Sequence, residues 1–152
     1  MKQGFVVLAI GMLAYSGIAY AAGSSDEPKA KDVAEMAEAR KLVKAERYQE
    51  AILVLDKVMA QQPKNADVLN LLAYSQRKSN DLQASLSNYK EALAIDPSHK
   101  DAHEYIGELY LRMGDLASAQ KHLKRLDSLC LLGCEQLDEL KAAIAAYKKK
   151  NK

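Results

Sequence analysis

The chain has no tryptophan, one phenylalanine and an aromatic content of only 6%. It has little charge bias: 22 lysines and arginines face 20 acids, a formal net charge of +2 over 152 residues. That balance gives no electrostatic footprint for a nucleic-acid binder. Alternating Val/Ile/Thr runs are absent, which argues against an extensive sheet. There is no Gly-rich phosphate loop, and no Ser/His/Asp set can be argued from the order of residues alone. His99 and His103 are spaced for one helix face, but the segment His99-Lys100-Asp101-Ala102-His103 lacks the glutamate of a zinc protease. What is abundant is Ala and Leu, with Lys and Glu interspersed, a composition that favours helices. The length suits one domain.

The N-terminus has its own character. Lys2 is followed by an apolar run from Phe5 through Tyr20, and Ala19-Tyr20-Ala21 has the small-x-small form of a signal peptidase site. The expectation is a signal peptide over 1–21, then a Gly/Ser/Asp/Glu/Pro-rich flexible leader over 22–30, in a protein exported to the periplasm. The competing reading is a retained anchor, since Gly4 to Ala22 is uncharged and long enough to span a bilayer. No second apolar stretch approaches that length, so no stable membrane insertion is expected after cleavage.

The middle of the chain repeats. Tyr48, Leu82 and Leu116 lie 34 positions apart; so do Ala51, Ser85 and Ala119, and Leu55, Tyr89 and Leu123. Ala39, Ala73 and Gly107 form a small-residue register, and Pro63 and Pro97 recur once. A fixed period of this length means one supersecondary unit used three times, each copy burying its apolar face on the next. Helical periodicity predicts pairs over about 30–46 and 48–61, 66–78 and 82–95, and 99–113 and 115–129. Gln62-Pro63-Lys64-Asn65 and Asp96-Pro97-Ser98 separate the pairs, because Pro cannot continue a helix. Gly114 suits the turn within the third pair. A final helix over 135–148 carries Leu137, Leu140, Ile144 and Tyr147 in one stripe, with acids at its start and lysines at its end. A basic tail follows at 149–152.

These residues resemble the tetratricopeptide repeat, a helix-turn-helix unit of about 34 residues. The third copy shows Ile106-Gly107, Tyr110, Gly114, Leu116, Ala119 and Leu123; the second shows Leu72-Ala73, Leu82, Tyr89, Ala92 and Pro97; the first shows Ala39, Leu42, Tyr48, Ala51, Leu55 and Pro63. The turn from Cys130 to Cys134 and the last helix also look like the ending of some exported bacterial repeat proteins. The chain departs from the pattern at Glu46 and Asn80, where the family favours Gly, at Ser85, and at Leu131 in place of the closing Pro. The resemblance implies an all-α solenoid over 31–148, with repeats at about 32–65, 66–99 and 100–133 and a capping helix at 135–148.

It also implies that the first helix of each pair lines a concave groove. Mapped onto this chain, the groove candidates are Met36, Arg40 and Lys44, then Asn70, Tyr74, Arg77 and Lys78, then Glu104, Glu108 and Arg112. Two copies offer cations and the third offers acids plus Arg112, a split that suits an extended or helical peptide oriented by charge. The chaperone-tail clamp of some family members is not supported, because its positions hold Met36, Arg40, Leu71, Asp101 and Tyr105. The expected function is a non-enzymatic scaffold that binds a protein or peptide, without nucleic acid, cofactor or metal, and with homo-oligomers open. Cys130 and Cys134 are read as a structural disulfide, with a redox or metal role and two free thiols as alternatives; two thiols alone leave a metal short of ligands. A thiol redox or metal-handling protein, or a self-associating structural array, are therefore the rival functions.

Overall fold

The computed structural model describes residues 26–151, with side chains described from Val33 onward. The expected signal peptide and its cleavage site lie outside the described residues. Among the described residues seven helices follow in order: α1 (Asp26–Lys44), α2 (Tyr48–Gln61), α3 (Ala66–Lys78), α4 (Leu82–Ile95), α5 (Lys100–Arg112), α6 (Leu116–Leu129) and α7 (Glu135–Lys150). No strand occurs among the described residues.

Two boundaries differ from expectation. Residues 26–30, expected in the leader, are helical. Pro28 falls in the first turn, where a missing N–H costs no helical hydrogen bond. Lys149 and Lys150, expected in the tail, complete α7.

The 34-residue period maps onto real geometry. Tyr48, Leu82 and Leu116 are each the first residue of the second helix of a pair. Glu46, Asn80 and Gly114 all adopt left-handed backbone, with φ of 58°, 69° and 81°. Each is the turn residue of the same C-terminal cap. Asp81 N donates to Gln76 O at 2.9 Å and Asn80 N to Arg77 O at 3.2 Å. The equivalent bonds run from Arg47 and Glu46, and from Asp115 and Gly114. This double bond satisfies the last carbonyls of the first helix while turning the chain back. Glu46 occupies a conformation that costs a side-chain-bearing residue about 1–2 kcal/mol. Side-chain caps then start α3, α4, α5 and α6 through Asn65, Asp81, His99 and Asp115.

The small registers are the closest points of packing. Ala39, Ala51, Ala73, Ser85 and Ala119 are all fully buried. Ser85 uses its extra oxygen: Oγ donates to the Ala73 carbonyl of α3 at 2.8 Å. Gly107 has a different neighbour. A Cβ built there would lie 2.7 Å from Leu140 Cδ2, so the glycine admits α7. Helix α7 lies on both α5 and α6 and buries Leu137, Leu140 and Ile144.

Cys130 and Cys134 form a disulfide across the turn between α6 and α7. Gly133 takes φ of +85°, which lets the chain leave helical geometry between the two sulfurs. Leu131, in the position of the missing proline, is 87% exposed and packs nothing.

Candidate functional site

Helices α1, α3 and α5 face one side of the array. α1 touches α3 and α3 touches α5, whereas α2, α4 and α6 do not touch one another. The first helices therefore approach more closely, and their shared surface is the inner face.

At one end of this face a cleft of about 220 Å³ spans α1, α3 and α5, lined by Arg40, Val43, Asp67, Asn70, Leu71, Tyr74, Asp101 and Tyr105. Asn70 is 7% exposed, and its Oδ1 is buried without a hydrogen-bond partner. Arg40 and Lys44 stand exposed on α1, while Met36 is half-buried against the first core cluster.

Aromatic rings run along the floor. Tyr48 and Tyr74 are 6.3 Å apart, Tyr74 and Tyr105 are 5.0 Å apart, and Tyr105 and Tyr89 are 6.4 Å apart. Arg77 lies 5.3 Å from the Tyr74 ring centre and 5.5 Å from that of Tyr105, with Lys78 at 5.4 Å from Tyr74. Burial pushes the Tyr105 hydroxyl up, and the charges of Glu104 and Asp101 push it further. Burial does the same to Tyr89, partly opposed by the neighbouring Arg77.

The expected split between cations of the second copy and acids of the third is not free on this surface. Arg77 Nη1 donates to Glu108 Oε2 at 2.6 Å, and the arginine is only 6% exposed. Arg112 donates to the Arg77 carbonyl at 2.8 Å and to Asn80 Oδ1 at 3.0 Å. Asp101 accepts from Gln136 of α7 at 2.8 Å. Glu104 is 3% exposed. Burial, then the hydrogen bond and charge of Glu139 on α7, hold its carboxyl protonated far above the usual range. Asn70, Arg77 and Glu104 are thus buried parts of the frame, and Arg40, Lys44, Tyr74, Lys78 and Arg112 supply the accessible chemistry.

The other end of the face holds a larger cavity, about 580 Å³, between α5 and α7. Its walls include Arg77, Glu108 and Arg112 together with Tyr147 and Lys150 of α7. The last two are absent from the sequence-based set. The signal for them was present: Ala143, Tyr147 and Lys150 step by 4 and 3 along one side of α7. The same face of Tyr105 was visible only as a departure from a clamp.

The histidines do not converge on a site. His99 caps α5, its Nδ1 accepting from Ala102 N at 3.3 Å. His103 and His122 pair Nδ1 to Nδ1 at 2.9 Å, and His103 Nε2 lies 3.2 Å from the Pro97 carbonyl. With its Nε2–H donating to that carbonyl, a neutral His103 has Nδ1 free to accept from His122 Nδ1–H. Burial lowers both, His122 to about 4 with His103 contributing. Among the described residues no group of three or more His, Cys, Asp or Glu is placed to hold a metal ion, and no helix is long and apolar enough to cross a membrane.

Comparison with known proteins agrees with this geometry. The tetratricopeptide repeat pattern matches residues 36–99 and again 76–129. The TPR repeat-containing thioredoxin TTL4 of Arabidopsis thaliana is 30% identical over 100 residues, 61% of this chain; the chain spans 15% of that relative's length. The first TPR domain of Spaghetti, bound to an HSP90 peptide, superposes with a TM-score of 0.68 at 23% identity, over 78% of this chain and 94% of that one. The Yersinia enterocolitica secretion chaperone SycD, in complex with a peptide of the translocator YopD, superposes with a TM-score of 0.66 at 16% identity, over 78% of this chain and 92% of that one.

Proposed function

The chain belongs to the tetratricopeptide repeat family, and on that premise we propose that it is a non-enzymatic scaffold whose inner face binds a segment of another protein. The observation that carries this reading is the inner cleft, where the half-buried Tyr74 and Tyr105 rings stand beside the exposed Arg40. At about 220 Å³ the cleft is smaller than a typical small-molecule site and suits one anchoring side chain. Two proteins of the same fold were solved with peptides bound, which supports the reading. Affinity would come from a few anchors on a face whose frame is already fixed by Arg77, Glu108 and Arg112.

The proposal includes export to the periplasm, which the apolar run and the Ala19-Tyr20-Ala21 site support. N-terminal sequencing of protein recovered from the envelope checks it; a mature chain starting at Ala22 is expected, and an uncut Met1 means an anchored protein instead.

Replacing Arg40, Tyr74 and Lys78 together by alanine tests the binding face. These side chains are accessible, unlike Arg77, so folding is expected to survive. A pull-down from envelope extract should lose the main partner captured by the unaltered chain. Retention of that partner by a folded triple variant excludes the inner face.

A further inference from the structure

The cavity between α5 and α7 differs in kind from the cleft near α1. Its volume, about 580 Å³, lies within the range of ligand sites. Its charges do not balance. Arg77, Arg112 and Lys150 face it with Glu108 as the one acid. Arg77 pairs with Glu108 at 2.6 Å, and its Nε is buried without a hydrogen-bond partner. Arg112 hydrogen-bonds a carbonyl oxygen and the Asn80 amide oxygen, both uncharged, so its guanidinium charge is not neutralised. Lys150 pairs with no carboxylate among the described residues. Beneath these cations lie Leu111 and Tyr147, the latter steadied by its hydroxyl, which donates to the Gly114 carbonyl at 3.4 Å.

We propose that this cavity is a second recognition site, which takes the carboxylates of an acidic stretch in the bound protein segment. Two unneutralised cations over an apolar floor fit a carboxylate carried on a short aliphatic stem, the form of Asp and Glu. A basic stretch meets repulsion there. A lone inorganic anion leaves most of the volume and the apolar floor unused, so a peptide is the occupant the shape favours. The site is not a property of the repeated units, because α7 supplies Ala143, Tyr147 and Lys150 to it. The inference rests on the groove reading only in that the ligand is a protein segment.

The test uses the full disulfide-bonded chain and three fluorescein-labelled peptides on one Leu/Ala framework, bearing Glu, Gln or Lys at the same positions. Fluorescence anisotropy should rank Glu tightest and Lys weakest, with Glu over Gln by roughly tenfold, and the gap should shrink as salt rises. Arg112→Gln and Lys150→Gln should each weaken the Glu peptide roughly three- to tenfold. Lys148→Gln, the same charge change outside the cavity, should stay within about twofold of the unaltered chain. If Arg112→Gln fails to fold, exposed Lys150 still decides the matter.

Equal affinity for Glu and Gln peptides overturns the proposal, as does a Lys148→Gln loss equal to that of Lys150→Gln. Displacement of the Glu peptide by low-millimolar inorganic phosphate assigns the cavity to small anions and also overturns it. The two readings fail separately. Peptides that bind regardless of charge but need Arg40 and Tyr74 leave the groove standing without the acidic site. A Glu peptide that needs Lys150 but not Arg40 or Tyr74 leaves the cavity standing without the groove.

Discussion

The two ends of the array are finished differently. At the α1 end, Ala39 and Leu42 are buried on the second helix and its neighbours, but Val33 is 70% exposed and Leu53 64% exposed. A hollow of about 510 Å³ opens beside Val33, Met36 and Ala37. At the other end α7 covers α5 and α6, buries three large aliphatic residues, and is tied to α6 by the disulfide. A stacked unit buries only the face that meets its neighbour, so the terminal faces need separate provision. In this chain the C-terminal provision also builds a cavity. Capping and site construction are the same event there, because the helix that seals the last repeat brings Tyr147 and Lys150 to the inner face.

The largest effect should come from attacking that seal. Leu140 is fully buried against Gly107, so Leu140→Ala is expected to cost about 2–5 kcal/mol. Val33→Ala, at the opposite end, should cost under about 0.5 kcal/mol. Urea unfolding of the two variants measures both; similar losses would erase the contrast between the ends.

Next is the clip. Replacing both Cys130 and Cys134 by serine removes a very small ring, for which loop-closure entropy gives about 2 kcal/mol. Thermal melts with and without reductant check it. A larger loss than for Leu140→Ala would mean that the disulfide, not the apolar stripe, holds α7 in place.

The third comparison is by pH. Glu104 is raised by burial and by Glu139, so its contribution is complete below the ordinary carboxylate value and lost as pH rises through its raised one. His103 and His122 are lowered, so their contribution is complete above about 6.5 and lost as pH falls toward the depressed values. Glu104→Gln keeps the shape and removes the titration. It should stabilise the chain at pH 8 by on the order of 1–2 kcal/mol, read as a higher Tm, and change little at pH 4.5. Helix α7 is the element this should affect, which amide exchange along α7 resolves; a pH-independent shift would contradict the raised Glu104 carboxyl.

The smallest effect lies at the α1 end. Glu46→Gly removes a side chain from left-handed backbone and should stabilise by about 0.5–1 kcal/mol. Destabilisation would show that the turn after α1 is not built like the one at Gly114.

Much of this was legible from one sequence because the repeat states itself three times. The starts of α2, α4 and α6, the small buried residues and the left-handed turns at 46, 80 and 114 all fall on the period. Contacts across the inner face were not legible, because they do not fall on it. Arg77 meets Glu108, and Tyr74 meets Tyr105, at a separation of 31, one helical turn short of the repeat. A register aligned on 34 therefore assigns these residues to equivalent positions of a face without showing which pairs consume each other. Gly107 shows the same limit. It shares a register with Ala39 and Ala73, yet its open side admits Leu140 from a helix outside the repeat. The leader boundary was misplaced because Pro28 reads as a break, whereas in a first turn it is compatible with helix.

The most direct test of the central claim is site-specific photocrosslinking in cells that express the chain. A crosslinking residue is placed at Lys44 and Lys78 on the inner helices, and separately at Lys57 and Glu91 on the outer ones; all four side chains are exposed. The account predicts that one partner protein is captured from positions 44 and 78 and not from 57 and 91. Capture of that partner from the outer positions alone would contradict it.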